Sequence, residues 1–143
     1  MTCAFCAIAA DPAPVAMVHE DADLMVFLDH MPIREGHCLI VPRAHYPYFD
    51  DLPETLAARV MALSQRLARS LKAIHGVERV AFFATGTDLP HAHIHVVPLH
   101  EKGDLTSARY MAEPPVFAGI AVQPREQLAP VADRLRQELE TTA

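Results

Sequence analysis

The sequence predicts an α+β fold, with an antiparallel sheet of about five strands, one long helix and a C-terminal helix. Three observations lead there. Short apolar segments come in adjacent pairs, one long run carries helical periodicity, and only that helix separates the strand pairs. This order suits an antiparallel sheet and not a doubly wound parallel one.

Val15 to Val18 and Leu24 to Leu28 flank the polar turn His19-Glu20-Asp21-Ala22-Asp23 and read as an antiparallel hairpin. Met31-Pro32-Ile33-Arg34-Glu35-Gly36 is a loop, and Cys38 to Val41 is a buried strand stopped by Pro42. Asp51 is placed to cap the long helix, with Pro53 and Glu54 in its first turn. Leu56, Val60, Leu63, Leu67, Leu71 and Ile74 recur at spacings of three and four, giving one apolar stripe. Gly76 stands where a left-handed C-terminal cap is wanted. Val80 to Phe83 and His93 to Val97 are two further strands, joined by the segment from Ala84 to Pro90. Beyond Pro98, Phe117 to Val122 reads as a last strand. Arg125 to Leu139 reads as a terminal helix with Leu128, Val131, Leu135 and Leu139 inward. No internal repeat divides the chain, so residues 1–143 are taken as one domain with a core at 3–98 and an extension at 99–143.

The 143 residues are 51% apolar and 21% charged, as in ordinary soluble domains. A net charge of −6 argues against nonspecific nucleic-acid binding. It leaves a small anionic substrate open, because local charge governs a site. No apolar run approaches the roughly 20 residues of a membrane span, and the N-terminus lacks the basic and apolar regions of a signal peptide. Three cysteines, an odd count, argue against a disulfide framework. A cytosolic, reduced protein is expected.

The stretch most informative about function is His91-Ala92-His93-Ile94-His95-Val96-Val97. Read as a strand, it puts three imidazoles on one face and Ala92, Ile94 and Val96 toward a core. Three readings compete. The rings are satisfied structural histidines, or ligands of a catalytic metal, or a nucleophilic histidine with two helpers.

His-Ala-His-Ile-His-Val-Val resembles the signature of the histidine triad (HIT) family of nucleotide hydrolases and transferases. Cys3-Ala-Phe-Cys6, Val26-Phe27-Leu28-Asp29, the segment from Gly36 to His45, and Asp51-Leu52-Pro53 stand in that family's order and at about its spacing. The resemblance covers residues 3–98 and implies a HIT-like fold. It also implies a hydrolase acting at the α-phosphate of a nucleoside phosphoramidate or dinucleoside polyphosphate, through a covalent nucleotidyl-histidine. A nucleotide-binding module with little turnover and a nucleotidyltransferase are the alternatives. By the same resemblance His93 is the nucleophile, His95 a donor to phosphate, and His37 an additional active-site histidine. Asp29 takes the ribose hydroxyls, while Phe5, Ile8, Phe27 and Leu39 line the base pocket. A homodimer is implied as well. Chemistry agrees, because a neutral imidazole is nucleophilic near pH 7 and two adjacent hydroxyls suit a carboxylate acceptor.

The chain departs from the family just before the triad. Gly86 keeps the family glycine, Thr87 replaces a glutamine, and Asp88 occupies a small-hydroxyl position where a carboxylate would repel phosphate. Leu99 stands where many relatives carry arginine. These substitutions bear on the leaving group and on turnover.

Cys3-Ala4-Phe5-Cys6 alone is a weak signal, open to redox or metal readings. The resemblance to a zinc-containing subset of HIT proteins implies a structural zinc held by Cys3, Cys6, His45 and His91. Cys38, set among Leu39, Ile40 and Val41, reads as a packed core thiol. His19, His30, His75 and His100 are expected to be solvated, and the segment from Met111 to Phe117 has no assigned role.

Overall fold

The computed structural model describes residues 3–12, 14–87 and 89–105, together with Glu126, Ala129, Pro130, Asp133, Arg136 and Gln137. Residues 1–105 form one compact unit and 106–143 a second. The first contains helix α1 (Ala4–Ala10), strands β1 (Met17–Glu20), β2 (Leu24–Leu28) and β3 (Cys38–Pro42), helix α2 (Glu54–His75), and strands β4 (Arg79–Phe83) and β5 (Ile94–Leu99). The five strands form one antiparallel sheet in the order β1-β2-β3-β5-β4. In the second unit the six described residues are helical, within the predicted 125–139 helix, and Arg136 donates to Asp133 at 2.7 Å. Leu128, Val131, Leu135, Leu139 and the expected strand from Phe117 to Val122 lie outside the described residues. No helix among the described residues is long and apolar enough to cross a membrane.

Alternation along the strands divides the core into two layers. Leu24, Val26, Cys38, Ile40, Ile94 and Val96 pack against Val60, Leu63, Leu67 and Leu71 of α2. On the opposite face, Met25, Phe27, Leu39 and Val41 pack against Phe5, Ile8 and Ala9 of α1 and against Val15 and Met17. Each fully buried aliphatic side chain contributes about 1.5–3 kcal/mol relative to exposure, so the four buried aliphatic residues of α2 dominate its anchoring. Helix α1 differs: it has seven residues, none buried, and no side-chain cap.

Several boundaries differ from the sequence expectation, each for an identifiable reason. Strand β1 begins at Met17 and not Val15, because its backbone pairs with Phe27, Val26 and Met25 through an irregularity between Met17 and His19. His19 and Glu20 therefore belong to an edge strand whose side chains alternate in exposure. Asp51 does not cap the long helix. Its carboxylate accepts from the Tyr48 N–H at 3.0 Å and closes a 3₁₀ turn over Phe49–Asp51, while α2 starts after Pro53. Ile74 is 74% exposed and leaves the stripe at the last turn, whereas Gly76 caps the helix in the left-handed conformation. Helix α1 was not anticipated, since seven residues of Ala, Phe, Cys and Ile carry no amphipathic pattern.

The histidine run is not one continuous strand. β5 begins at Ile94, because the backbone before it is engaged elsewhere: His91 N–H donates to Leu89 at 2.8 Å and Ala92 N–H to Tyr46 at 2.6 Å. His95 is the only triad member inside the ladder, paired with Leu39 on one side and Phe83 on the other. The three rings still gather on the α1 side. Phe5 meets His91 and His93 edge-on at 5.6 and 5.2 Å, and the His93 and His95 ring centres are 5.1 Å apart.

The loop between β2 and β3 turns on Gly36, whose φ is +90°. A Cβ there would stand 2.5 Å from His75 Nε2 and 2.9 Å from Leu71 Cδ2. His75 is thus a packing partner of this loop. Gly36→Ala is expected to cost about 1–3 kcal/mol of stability through backbone strain and crowding. Denaturant unfolding checks this, and an unchanged midpoint would mean the loop relaxes freely.

Candidate active site

His93 lies at the junction of two cavities. The larger, of about 710 Å³, is lined by Phe5, Ile8, Phe27, Asp29, Leu39, Leu89, His93 and His95 among others. Its size falls in the range of small-molecule sites. The smaller, of about 200 Å³, is bounded by Pro47 to Asp50, Ala84 to Gly86, Ala92 and His93. Tyr48 packs so closely on Gly86 that a Cβ added there would meet its ring at 2.9 Å.

Hydrogen bonds set the protonation of each ring. His93 Nδ1–H donates to the His91 carbonyl at 2.7 Å, which leaves the lone pair on Nε2. The Ile33 N–H donates to His37 Nδ1 at 3.1 Å, so a neutral His37 carries its proton on Nε2. That proton faces His95 Nδ1 at 2.9 Å, and the proton of His95 is in turn held on its own Nε2. Burial pushes His37 below the ordinary histidine range, with the Asp29 carboxylate, 3.6 Å away, opposing the shift in part. His37 is buried, with 2% of its surface exposed. Phe83 stacks on the His95 ring at 4.6 Å with an interplanar angle of 6° and fixes its plane.

Asp29 is oriented by the Met31 N–H, which donates to Oδ1 at 2.8 Å, and its carboxylate lines the larger cavity. The structure brings Phe5, Ile8, Phe27, Asp29, Leu39, His93 and His95 around that cavity, with His37 behind it. Gly86 borders the smaller cavity, Thr87 lines neither, and Asp88 lies outside the described residues.

Cys3, Cys6, His45 and His91 form a separate cluster. His91 Nδ1 stands 3.3 Å from Cys3 Sγ, 3.6 Å from Cys6 Sγ and 3.2 Å from His45 Nδ1, while Cys6 Sγ and His45 Nδ1 are 3.4 Å apart. A tetrahedral ion with metal–N near 2.0–2.1 Å and metal–S near 2.3 Å needs N···N edges of about 3.3 Å and N···S edges of about 3.5 Å. The observed separations match. The fully buried His91 also donates Nε2–H to the Pro42 carbonyl at 2.8 Å, leaving Nδ1 unprotonated toward the thiols. Burial, followed by the neighbouring His45 and His93, keeps its pKa low despite that bond. The cluster can therefore hold a metal ion.

Asp29, His37 and His95 also lie within reach of a common ion. There the chemistry disagrees, because a cation would need the lone pair of His37 Nε2, and the Ile33 N–H puts a proton on that atom. In this second cluster His37 and His95 share a hydrogen bond, with the Asp29 carboxylate 3.6 Å from His37 Nε2. Among the described residues, neither cluster includes His93. Cys38 is an inert core thiol, its pKa pushed up to about 11 by burial.

The local pattern of the sequence missed several groups that matter: the Ile33 N–H, the His91 and Pro42 carbonyls, Phe83, and the pair of half-buried Arg34 with buried Asp104. Backbone donors and acceptors carry no side-chain signature, and Arg34 and Asp104 are 70 positions apart.

Such an antiparallel sheet, with histidines gathered beside a cavity of about 710 Å³ on the face opposite the long helix, defines the class as an α+β domain with a histidine-rich site. The family model for the HIT domain matches residues 11–102, and the chain belongs to the HIT family. It is 33% identical over 119 residues to the HIT-like protein Rv1262c of Mycobacterium tuberculosis, covering 78% of this chain and 81% of that one. The adenosine 5'-monophosphoramidase HNT1 of Saccharomyces cerevisiae is 29% identical over 101 residues, covering 70% of this chain and 64% of its own. A zinc-bound histidine triad family protein from Mycobacterium smegmatis superposes with a TM-score of 0.65 at 26% identity, covering 100% of this chain and 99% of that one.

Proposed function

We infer that the protein is a hydrolase acting at the α-phosphate of a nucleotide through a covalent nucleotidyl-His93. The observation that carries the inference is the 2.7 Å bond from His93 Nδ1–H to the His91 carbonyl, beside a cavity shared with His95 and Asp29. His93 Nε2 forms a bond to phosphorus as the bond to the leaving group breaks, and the departing group takes the electron pair and a proton from solvent water. The His91 carbonyl stabilises the positive charge that the ring then carries. His95 Nε2–H donates to a phosphoryl oxygen and lowers the energy of the charged transition state. Water next attacks phosphorus and releases a proton to solvent, the P–N bond breaks with its electron pair returning to Nε2, and His93 returns to neutral with release of the nucleoside monophosphate.

A phosphoramidate is favoured over a dinucleoside polyphosphate. Among the described residues no Lys or Arg lines either cavity, and Asp29 and Asp50 add negative charge. A polyphosphate tail would meet neither Lys nor Arg among the described lining residues, whereas a neutral or cationic amine would meet no repulsion from them. The yeast phosphoramidase relative agrees with this choice. Incubation with an adenosine phosphoramidate and assay of AMP tests the reading; release no faster than without protein overturns it and leaves a binding module.

Asp29 is assigned to the ribose hydroxyls. Asp29→Ala is expected to raise KM about 10- to 100-fold, the worth of hydrogen bonds to a charged acceptor. A 2',3'-dideoxy substrate should show almost none of that loss, and an equal loss on both substrates would remove the assignment.

The Cys3, Cys6, His45 and His91 cluster takes a structural zinc, as its donor set, its edge lengths and the zinc-bound relative support. When bound, the ion closes a four-ligand tether and supplies no catalytic position. A cytosolic setting, which keeps both thiols reduced, completes this part of the reading. Two protomers associate through edge strand β4 and the outer face of α2, where Phe82 and Met61 are 45% and 49% exposed.

A further inference from the structure

Asp104 is 2% exposed, and its carboxylate accepts from Arg34 Nε at 3.1 Å, Arg34 Nη2 at 2.7 Å, the His100 N–H at 2.8 Å and the Glu101 N–H at 3.1 Å. The fork of the guanidinium matches the carboxylate, which is held well below the usual carboxylate range, first by Arg34. Both partners sit at informative places. Arg34 lies in the loop that ends at His37, and Asp104 follows β5, which carries His95. β3 and β5 are neighbours in the sheet, so the pair ties together the chain just before the first strand and just after the second.

Besides this pair, the Arg34–Glu101 contact at 3.6 Å and the packing of Gly36 on His75 and Leu71, bonds within the loop and to the end of β2 hold it in shape. His37 N–H donates to the Arg34 carbonyl at 3.0 Å, the His37 carbonyl accepts from Asp29 N–H at 2.9 Å, and Ile33 N–H reaches the His37 ring. The Ile33 donor decides which nitrogen of His37 is protonated, and through it which nitrogen of His95 faces phosphate with a proton. We propose that Arg34 and Asp104 are positioning residues: the latch between them holds Ile33 on His37 and thereby keeps His37 and His95 in the tautomers that point a proton at the substrate. The inference rests on the hydrolase reading for its kinetic consequence, but its structural half needs no substrate. Without the latch the Ile33 N–H drifts from the ring, and His37 gains access to the tautomer with a bare Nε2. His95 then turns its proton toward His37 and presents a lone pair to the phosphoryl oxygens.

The test uses the metal-loaded full-length chain and two variants. Arg34→Gln leaves a buried carboxylate without its cation, which threatens folding. Arg34→Gln with Asp104→Asn removes both charges and keeps an amide pair at the same place. Long-range ¹H–¹⁵N correlation spectra of the histidine rings are expected to show His37 and His95 as single Nε2–H tautomers in the wild type and as mixtures in the variants. With an adenosine phosphoramidate, kcat should fall about 10- to 100-fold, less than the roughly 100- to 1,000-fold of deleting a transition-state donor outright. KM should change less than about threefold, and the variants should lose almost nothing further in a His95→Ala background. Arg34→Lys, which restores the cation without the fork, should recover part of kcat.

Unchanged tautomers in a folded variant overturn the proposal, as does an equal loss of kcat with and without His95. Mixed tautomers in a chain whose wild type releases no AMP would uphold the latch and refute the hydrolase.

Discussion

Replacing His93 by alanine should lower AMP release from an adenosine phosphoramidate by at least about 10⁴-fold, the scale of losing a covalent nucleophile. The far-ultraviolet circular dichroism spectrum and the metal content should stay those of the wild type. The His93 ring lies on the cavity side of the sheet, outside the layer that packs on α2, and it belongs to neither cluster of metal-ligating groups. A brief pulse with substrate followed by mass spectrometry should find an acid-labile nucleotidyl adduct on the wild type and none on His93→Ala. His95→Ala makes the informative contrast. It removes a donor and leaves the nucleophile, so the adduct should still form while turnover falls about 100- to 1,000-fold. An adduct on His93→Ala, or release within a few-fold of the wild type, would end the case for this residue as nucleophile.

What the sequence revealed of this site follows from where its information lies. The alternating histidines and the paired cysteines were legible at short spacing, whereas Asp29, Phe27 and Leu39 were reached through the family resemblance and lie around one cavity. The long helix was legible because its stripe runs for about four turns with a glycine stop. Continuity of the histidine strand was not. Alternation of His and apolar residues is the same whether the backbone pairs in a ladder or, as at Ala92, donates to Tyr46. Asp51 carried a capping signal that the 3₁₀ turn used three residues early. Arg34 and Asp104 meet only because β3 and β5 are adjacent, and adjacency of strands distant in sequence has no local code. Tautomers were the least legible feature, since they depend on backbone donors and acceptors placed by the fold.

Stripping the metal with a chelator should lower the unfolding midpoint by about 10 °C or more, which needs a loss of only about 2–3 kcal/mol in a unit of this size. It should also raise KM for the nucleotide about tenfold while kcat changes by a few-fold. The argument starts from α1. Seven residues with no buried side chain and no side-chain cap do not make a stable helix in water. Yet α1 carries Phe5 and Ile8, which wall the larger cavity, and Phe5 abuts His91 and His93. Cys3 and Cys6 bracket Phe5, so an ion shared with His45 and His91 would tie that wall to the segment that carries His93. Cys6→Ser should reproduce the loss and resist rescue by added zinc. Metal loss should be easier at low pH: burial and the neighbouring Cys3 push the Cys6 thiol up, ligation requires the thiolate, and protons compete with the ion. An unchanged midpoint and KM after complete removal would show that α1 stands without the tether. Loss of kcat alone, with KM and fold intact, would instead make the ion a participant in the chemistry.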